Sequence, residues 1–223
     1  MAPSGFTDRT DAGRLLAEQL RAYADRPDVV VLGLPRGGVP VAFEVAHALR
    51  VAMDILLVRK LGLPGQEELA MGAIASGGGR VLNEDVLRQA AVGDTVLQRV
   101  VERESRELER REAHYRADRA PVEVRGRVVV VVDDGAATGA SMRVAVAALR
   151  EGAPARVVVG LPVASREAVE NLRKEADEVV AVLTPDYFLG VGRWYGDFRQ
   201  VSDAEVRELL ARAWADQSQE ARG

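Results

Sequence analysis

Five stretches of the chain are apolar at nearly every position instead of at alternate ones: residues 29–34, 55–58, 128–132, 157–161 and 179–183, all rich in Val, Ile or Leu. A strand with one wet face alternates, whereas a strand buried on both faces reads as a continuous run, so these stretches predict a parallel sheet covered on both sides. Segments with helical spacing separate them, at 38–49, 84–118, 141–150 and 166–174. Strands alternating with helices predict an α/β fold, an open, mostly parallel, twisted sheet flanked by helices. Leu15, Leu16 and Leu20 give segment 11–23 a helical stripe that caps the sheet. Ser202, with Glu205 three residues on, forms a capping box that opens a last helix over 203–214, and the polar residues 216–223 are expected to fray. The whole of 1–223 reads as one domain, with its core at about 28–183 and no internal repeat or low-complexity linker.

Composition narrows the chemistry. The 223 residues are 48% hydrophobic and 29% charged, as in a soluble globular protein. The absence of cysteine excludes a disulfide scaffold, a thiolate zinc site and a Cys nucleophile, and the two histidines, His47 and His114, exclude a multi-histidine metal site. No apolar run approaches the roughly 20 residues of a membrane span. The N-terminus has neither a basic start nor an apolar core, so no signal peptide is read and a cytoplasmic location is expected. A net charge of −4 argues against a dedicated nucleic-acid binder. Lys60 and Lys174 are the only lysines among 30 basic residues, which singles out Lys60. Segment 102–119 carries six acids and six arginines, many at i, i+4, and is expected to be a solvated helix face.

The chemistry concentrates after the third apolar run. There the chain reads Asp133-Asp134-Gly135-Ala136-Ala137-Thr138-Gly139-Ala140-Ser141: two adjacent carboxylates at a buried strand end, a loop of small residues, then a helix. Ligands of open α/β sheets sit just beyond the carboxyl ends of strands. In this loop only Thr138 is larger than Ala, so backbone N–H groups can approach an anion, and with Thr138, Ser141 and the helix N-terminus they form a phosphate cradle. The carboxylates suit sugar hydroxyls or a hydroxyl-bound Mg²⁺. The Gly-x-Gly-x-x-Gly and Gly-x-x-x-x-Gly-Lys-Ser/Thr nucleotide motifs are both absent.

At these residues the chain resembles the type I phosphoribosyltransferases. The resemblance implies binding of 5-phosphoribosyl 1-diphosphate (PRPP), with Asp133 and Asp134 on the ribose hydroxyls and Ala137–Ser141, with Ala136, around the 5-phosphate. Leu34-Pro35-Arg36-Gly37-Gly38 resembles the family's pyrophosphate loop, where the matching Pro35–Arg36 bond is expected to be a non-proline cis peptide. Val58-Arg59-Lys60-Leu61-Gly62 is similar to the adenine-type branch, in which Arg59 and Lys60 would reach the pyrophosphate, sometimes across a dimer interface. The glycine-bearing segment 61–79 is expected to be a flexible loop that closes over the substrate, with Glu67 and Glu68 read as solvated loop acids. Five of the ten aromatics fall between 187 and 198, in a stretch broken by Gly190, Gly192 and Gly196. They are either a satellite core under the last helix or, like the family's hood over about 184–200, a cover for the base formed by Phe188, Trp194 and Tyr195. The implied function is Mg²⁺-dependent transfer from PRPP to a small nitrogen acceptor by a homodimer. Ala137 stands where the 6-oxopurine enzymes carry an Asp, which leaves the nucleophile open. Two other readings remain: a PRPP- or nucleotide-sensing regulator of the same fold that binds nucleic acid, and a flavodoxin-like protein that holds FMN phosphate on the Thr-Gly loop.

Overall fold

The computed structural model describes residues 5–116 and 119–220. Its elements run α1 (Arg9–Gln19), β1 (Val29–Gly33), α2 (Gly38–Leu49), β2 (Ala52–Ile55), β3 (Val58–Leu63), β4 (Gln66–Ala75), β5 (Arg80–Leu82), α3 (Glu84–Gln89), α4 (Asp94–Arg116), β6 (Val128–Val132), α5 (Ala140–Glu151), β7 (Arg156–Val163), α6 (Arg166–Leu172), β8 (Glu178–Leu183) and α7 (Asp203–Glu220). Five strands form a wholly parallel sheet in the order β2-β1-β6-β7-β8. Alternate residues of its central strands enter opposite cores. Val29, Val31 and Val130 pack with Leu16, Phe43 and Leu210 on the face covered by α1, α2 and α7. Val30, Val129 and Val131 pack with Met142, Val146 and Leu172 on the face of α5 and α6. Two buried faces are why these strands lack polar alternation, and each fully buried Val or Leu contributes roughly 1.5–3 kcal/mol.

The apolar run 55–58 is not one strand. β2 ends at Ile55 and β3 begins at Val58 in a separate antiparallel sheet, ordered β3-β4-β5. Ile55, Leu56 and Leu57 are all buried, but Leu56 enters one core and Leu57 the other, so the run is apolar because it threads between two cores. Segment 61–79 is correspondingly not a loop: most of it is the β3–β4 hairpin, and a 3₁₀ turn at Ser76–Gly78 leads to β5. Its glycines admit close strand packing, as where a Cβ on Gly62 would lie 2.7 Å from the Glu67 carbonyl oxygen.

The helical segment 84–118 is two helices, interrupted where Ala91 takes φ 47°; residues 117–118 lie outside the described ones. Segment 11–23 divides into the end of α1 and a 3₁₀ turn at Arg21–Tyr23. At the other end α7 continues to Glu220 instead of fraying from 216, and residues 221–223 lie outside the described ones. The Ser202 hydroxyl accepts from the Glu205 N–H at 3.1 Å, so this half of the capping box is formed. Among the described residues no helix is long and apolar enough to cross a membrane.

Candidate functional site

β1 and β6 are neighbours in register, Gly33 beside Val132, so their carboxyl ends open on the same edge of the sheet. The turn after β1 is fastened there by the Leu34 N–H donating to the Val132 carbonyl at 2.9 Å. The Pro35–Arg36 bond is cis. Gly37 and Gly38 lie hard against the acid pair: a Cβ on Gly37 would overlap the Asp134 carboxylate, and one on Gly38 would lie 2.8 Å from Asp133 Cα. Only glycine permits this approach.

After β6 the chain crosses to the end of β7. Ala136 bridges Ala164, and the Ser165 hydroxyl donates to the Ala137 carbonyl at 2.6 Å. Gly139 takes φ 73° to turn the chain into α5. Ala137 and Thr138 are exposed at this turn, and the N–H groups of Ala137, Thr138 and Gly139 have no main-chain partner among the described residues. The Thr138 hydroxyl accepts from the Ala140 N–H at 3.4 Å. Two helix N-termini, α2 and α5, thus open beside the same two carboxylates, an arrangement that favours anions.

The two acids are not equivalent. Asp134 turns toward α1, where Arg9 Nε and Nη2 donate to Oδ2 at 2.9 and 2.7 Å. The Arg9 guanidinium also donates to the Arg199 carbonyl at 2.9 Å and lies 4.1 Å from the Phe198 ring centroid. Tyr195 Oη donates to the Asp134 carbonyl at 2.5 Å. Asp133 instead faces a cavity of about 540 Å³. Burial, and then the neighbouring Asp134 charge, hold the Asp133 carboxyl above the usual range. Burial also raises Asp134, against the lowering pull of Arg9.

Arg36 and Ser141 line the same cavity as Asp133. Its other polar wall comes from the end of α4, Arg110, Arg111, His114 and Tyr115, and from Asp203 at the start of α7. Asp203 is the hub of that wall. It accepts from Tyr115 Oη at 2.6 Å and lies 3.8 Å from both Arg36 Nη1 and His114 Nε2. The Tyr115 bond, then Arg36 and His114, lower the Asp203 carboxyl, while burial and Asp203 push Tyr115 up to about 12.

Residues 7–191 match the phosphoribosyl transferase domain family. The chain belongs to the phosphoribosyltransferase family. It is 46% identical over 211 residues, 95% of its length, to a Mycobacterium tuberculosis protein, from strains H37Rv and CDC 1551, whose name as a phosphoribosyl transferase is itself provisional. The chain spans about half of that relative, 47% of its length. Protein TT1426 of Thermus thermophilus has a similar crystal structure, with a TM-score of 0.82 and 47% identity over 93% of this chain and 98% of that one.

Of the residues the phosphoribosyltransferase resemblance singled out, the structure gathers Arg36, Gly37, Gly38, Asp133, Asp134 and the 136–141 turn. It does not bring Arg59 and Lys60 to the cavity. Arg59 Nε donates to Glu104 on α4 at 2.8 Å, and Lys60 lies against Glu68 of the hairpin at 3.3 Å. Glu67 and Glu68 are exposed, as expected of solvated acids. Tyr195 is a buried core residue, with the Phe6 and Phe198 rings 5.3 and 5.0 Å from its own. Phe188 and Trp194 are partly buried against the same cluster, which lies under the Phe6 segment and α1 and not under α7. The Phe6 N–H donates to the Trp194 carbonyl at 2.7 Å, and the Gly196 N–H to the Phe6 carbonyl at 2.8 Å.

Sequence reasoning assigned α4 to solvent and missed Arg110, Arg111, His114 and Tyr115. The signal was there in the aromatic pair His114-Tyr115, set into an otherwise charged run. It also missed Arg9, for which nothing in the N-terminal sequence speaks. Among the described residues no group of three or more His, Asp or Glu could hold a metal alone. Of the acid pair, Asp133 is the carboxylate that lines the cavity.

Proposed function

We propose that the chain binds PRPP with Mg²⁺ and transfers its phosphoribosyl group to a nitrogen of a small acceptor, a nucleobase in the simplest case. One observation carries this reading: the glycine-bearing turns that open α2 and α5 flank a single acid pair at one sheet edge, beside a cavity of about 540 Å³. The α5 turn suits the 5-phosphate, Asp133 the ribose hydroxyls, and Arg36 with the Gly37–Gly38 backbone the diphosphate. Both anionic ends are held, so the ribose carbon between them is oriented for attack.

In the reaction the bond from ribose C1 to the diphosphate oxygen breaks, and its electron pair leaves with diphosphate. The lone pair of the acceptor nitrogen forms the new C1–N bond, and the proton on that nitrogen passes to solvent or to a diphosphate oxygen. Mg²⁺ on the diphosphate would offset the charge that develops there. The acceptor would sit under the 184–200 hood, against Phe188 and Trp194. Support for this comes from the hood's contact with the PRPP-type turn, where a Cβ on Gly135 would lie 2.6 Å from Val191 Cγ1. The resemblance extends the reading to a cytoplasmic homodimer.

The test is diphosphate release from PRPP and Mg²⁺ across a panel of purines, pyrimidines and other nitrogen acceptors. Release that depends on one acceptor class supports the reading. Absence of PRPP binding by calorimetry, in protein that is folded, overturns it.

A further inference from the structure

We propose that Arg110 and Arg111, on the last turns of α4, bind the diphosphate group of PRPP together with Arg36, a role that the family resemblance implies for Arg59 and Lys60. This rests on the PRPP reading and adds to it an element outside the motifs that carry the resemblance.

Three observations converge. The first is placement. Arg110 and Arg111 line the cavity that also contains Arg36, Asp133 and Ser141, and neither Arg59 nor Lys60 does. The second is commitment. Arg59 is held by Glu104, whose side chain is only 9% exposed and which also accepts from Arg103 at 3.0 Å. To reach a ligand, Arg59 would have to give up its bonds to this nearly buried carboxylate. Arg110 and Arg111 share one carboxylate between them: Arg110 Nε donates to Glu107 at 2.8 Å and Arg111 Nε at 2.9 Å. Their side chains are 69% and 48% exposed, and both Nη atoms of Arg111 have no partner among the described residues. The pair thus carries one net positive charge and spare donors.

The third is attachment. Asp203 joins Tyr115 and His114 of α4 to Arg36 of the β1–α2 turn, so the end of the helix and the turn are held as one wall. The charges facing this wall are Arg36, Arg110 and Arg111 against Asp203 and Asp133, with Glu107 behind the arginines. Planar guanidinium forks suit a diphosphate, which offers several oxygens at once.

The test is calorimetric titration of the full chain with inorganic pyrophosphate and, separately, with PRPP, both with Mg²⁺. Arg110→Gln with Arg111→Gln should weaken both ligands by about tenfold or more, since charge-assisted bonds are lost. The double Arg110→Lys, Arg111→Lys variant should recover part of the loss. Arg99→Gln, the loss of a single charge near the other end of α4 and outside the cavity, should change neither ligand. Both arginines are exposed, so the Gln variants are expected to fold, and an unchanged melting temperature checks that. Full retention of affinity in the folded double Gln variant, or loss in Lys60→Gln alone, overturns the assignment. If the unsubstituted chain binds neither ligand, the PRPP reading itself fails and the assignment with it.

Discussion

Replacing Arg9 by Ala removes the countercharge of Asp134 without touching the motif that carries the acid pair. The two side chains are only 11% and 15% exposed, so water replaces the lost guanidinium poorly. Two bonds to Oδ2, at 2.9 and 2.7 Å, and one to the Arg199 carbonyl are lost together. Charge-assisted bonds contribute about 1.5–3 kcal/mol each, and the stack on Phe198 about 0.5–2 kcal/mol. These do not add, because they share one guanidinium. Breaking a buried pair from one side costs roughly 3–5 kcal/mol, and the residual exposure here favours the lower end. Arg9→Ala should therefore cost about 3 kcal/mol, seen as a melting temperature lowered by roughly 6–12 °C for a chain of this size. Urea unfolding of Arg9→Ala, Asp134→Ala and the double variant closes the cycle. A coupling above about 1.5 kcal/mol is expected. A coupling below about 0.5 kcal/mol, the value of a solvent-screened surface pair, refutes the reasoning.

What could be read in the sequence follows from which residues are constrained locally. Strands β1 and β6, and β7 after Arg156, were legible because burial on both faces forbids polar residues along them, and the partly buried edge strand β8 was legible from its apolar run 179–183. The turn into α5 was legible because close backbone approach restricts 135–141 to Gly, Ala, Ser and Thr, and the turn into α2 was legible from the paired Gly37 and Gly38, both local signatures. The β3–β4 hairpin was not. Glycine stands at 62 and 72 because a neighbouring strand backbone leaves no room for a Cβ, and that neighbour is invisible in a local window. In a sequence such glycines look the same as those of a mobile loop. The division of labour between Asp133 and Asp134 was hidden for a related reason. It is decided by Arg9, 125 residues away, whose meaning depends wholly on α1 packing across α2 and the end of β7. Helix α4 misled in the opposite sense. Its charge balance, read along the sequence, implies a wet helix, but on the folded helix Glu104 and Arg116 are buried and Arg110 and Arg111 turn to a cavity.

The remaining predictions probe the acid pair, its glycine contact and the hood. Asp133→Asn should weaken PRPP binding severalfold or more with little loss of stability, whereas Asp134→Asn should mainly lower the melting temperature; calorimetry and thermal scans on both variants check this, and identical behaviour would count against the split. Gly37→Ala should destabilise the fold by driving Asp134 off Arg9, and its cost should shrink in the Arg9→Ala background, since the contact it breaks is already gone. Phe188→Ala and Trp194→Ala should raise the acceptor's KM while sparing PRPP affinity; constants that move together would show the two rings to be packing only. The last prediction concerns pH. Burial holds both carboxyls above the ordinary range, with the Asp134 charge adding to the rise at Asp133, so between the unfolded pKa near 4 and the raised folded values the native state binds more protons than the unfolded chain. The contribution of the pair is then fully favourable below about pH 4 and is lost as pH rises through the folded values. Asp133→Asn, which cannot ionise, removes that loss, so its melting temperature relative to the unsubstituted chain should climb between about pH 4.5 and pH 8. Other carboxylates, such as Glu107, are lowered and act with the opposite sign, but they are common to both proteins and cancel in the difference. A difference that stays flat over that interval would mean that Asp133 is solvated like a surface acid and that burial does not hold its carboxyl above the ordinary range.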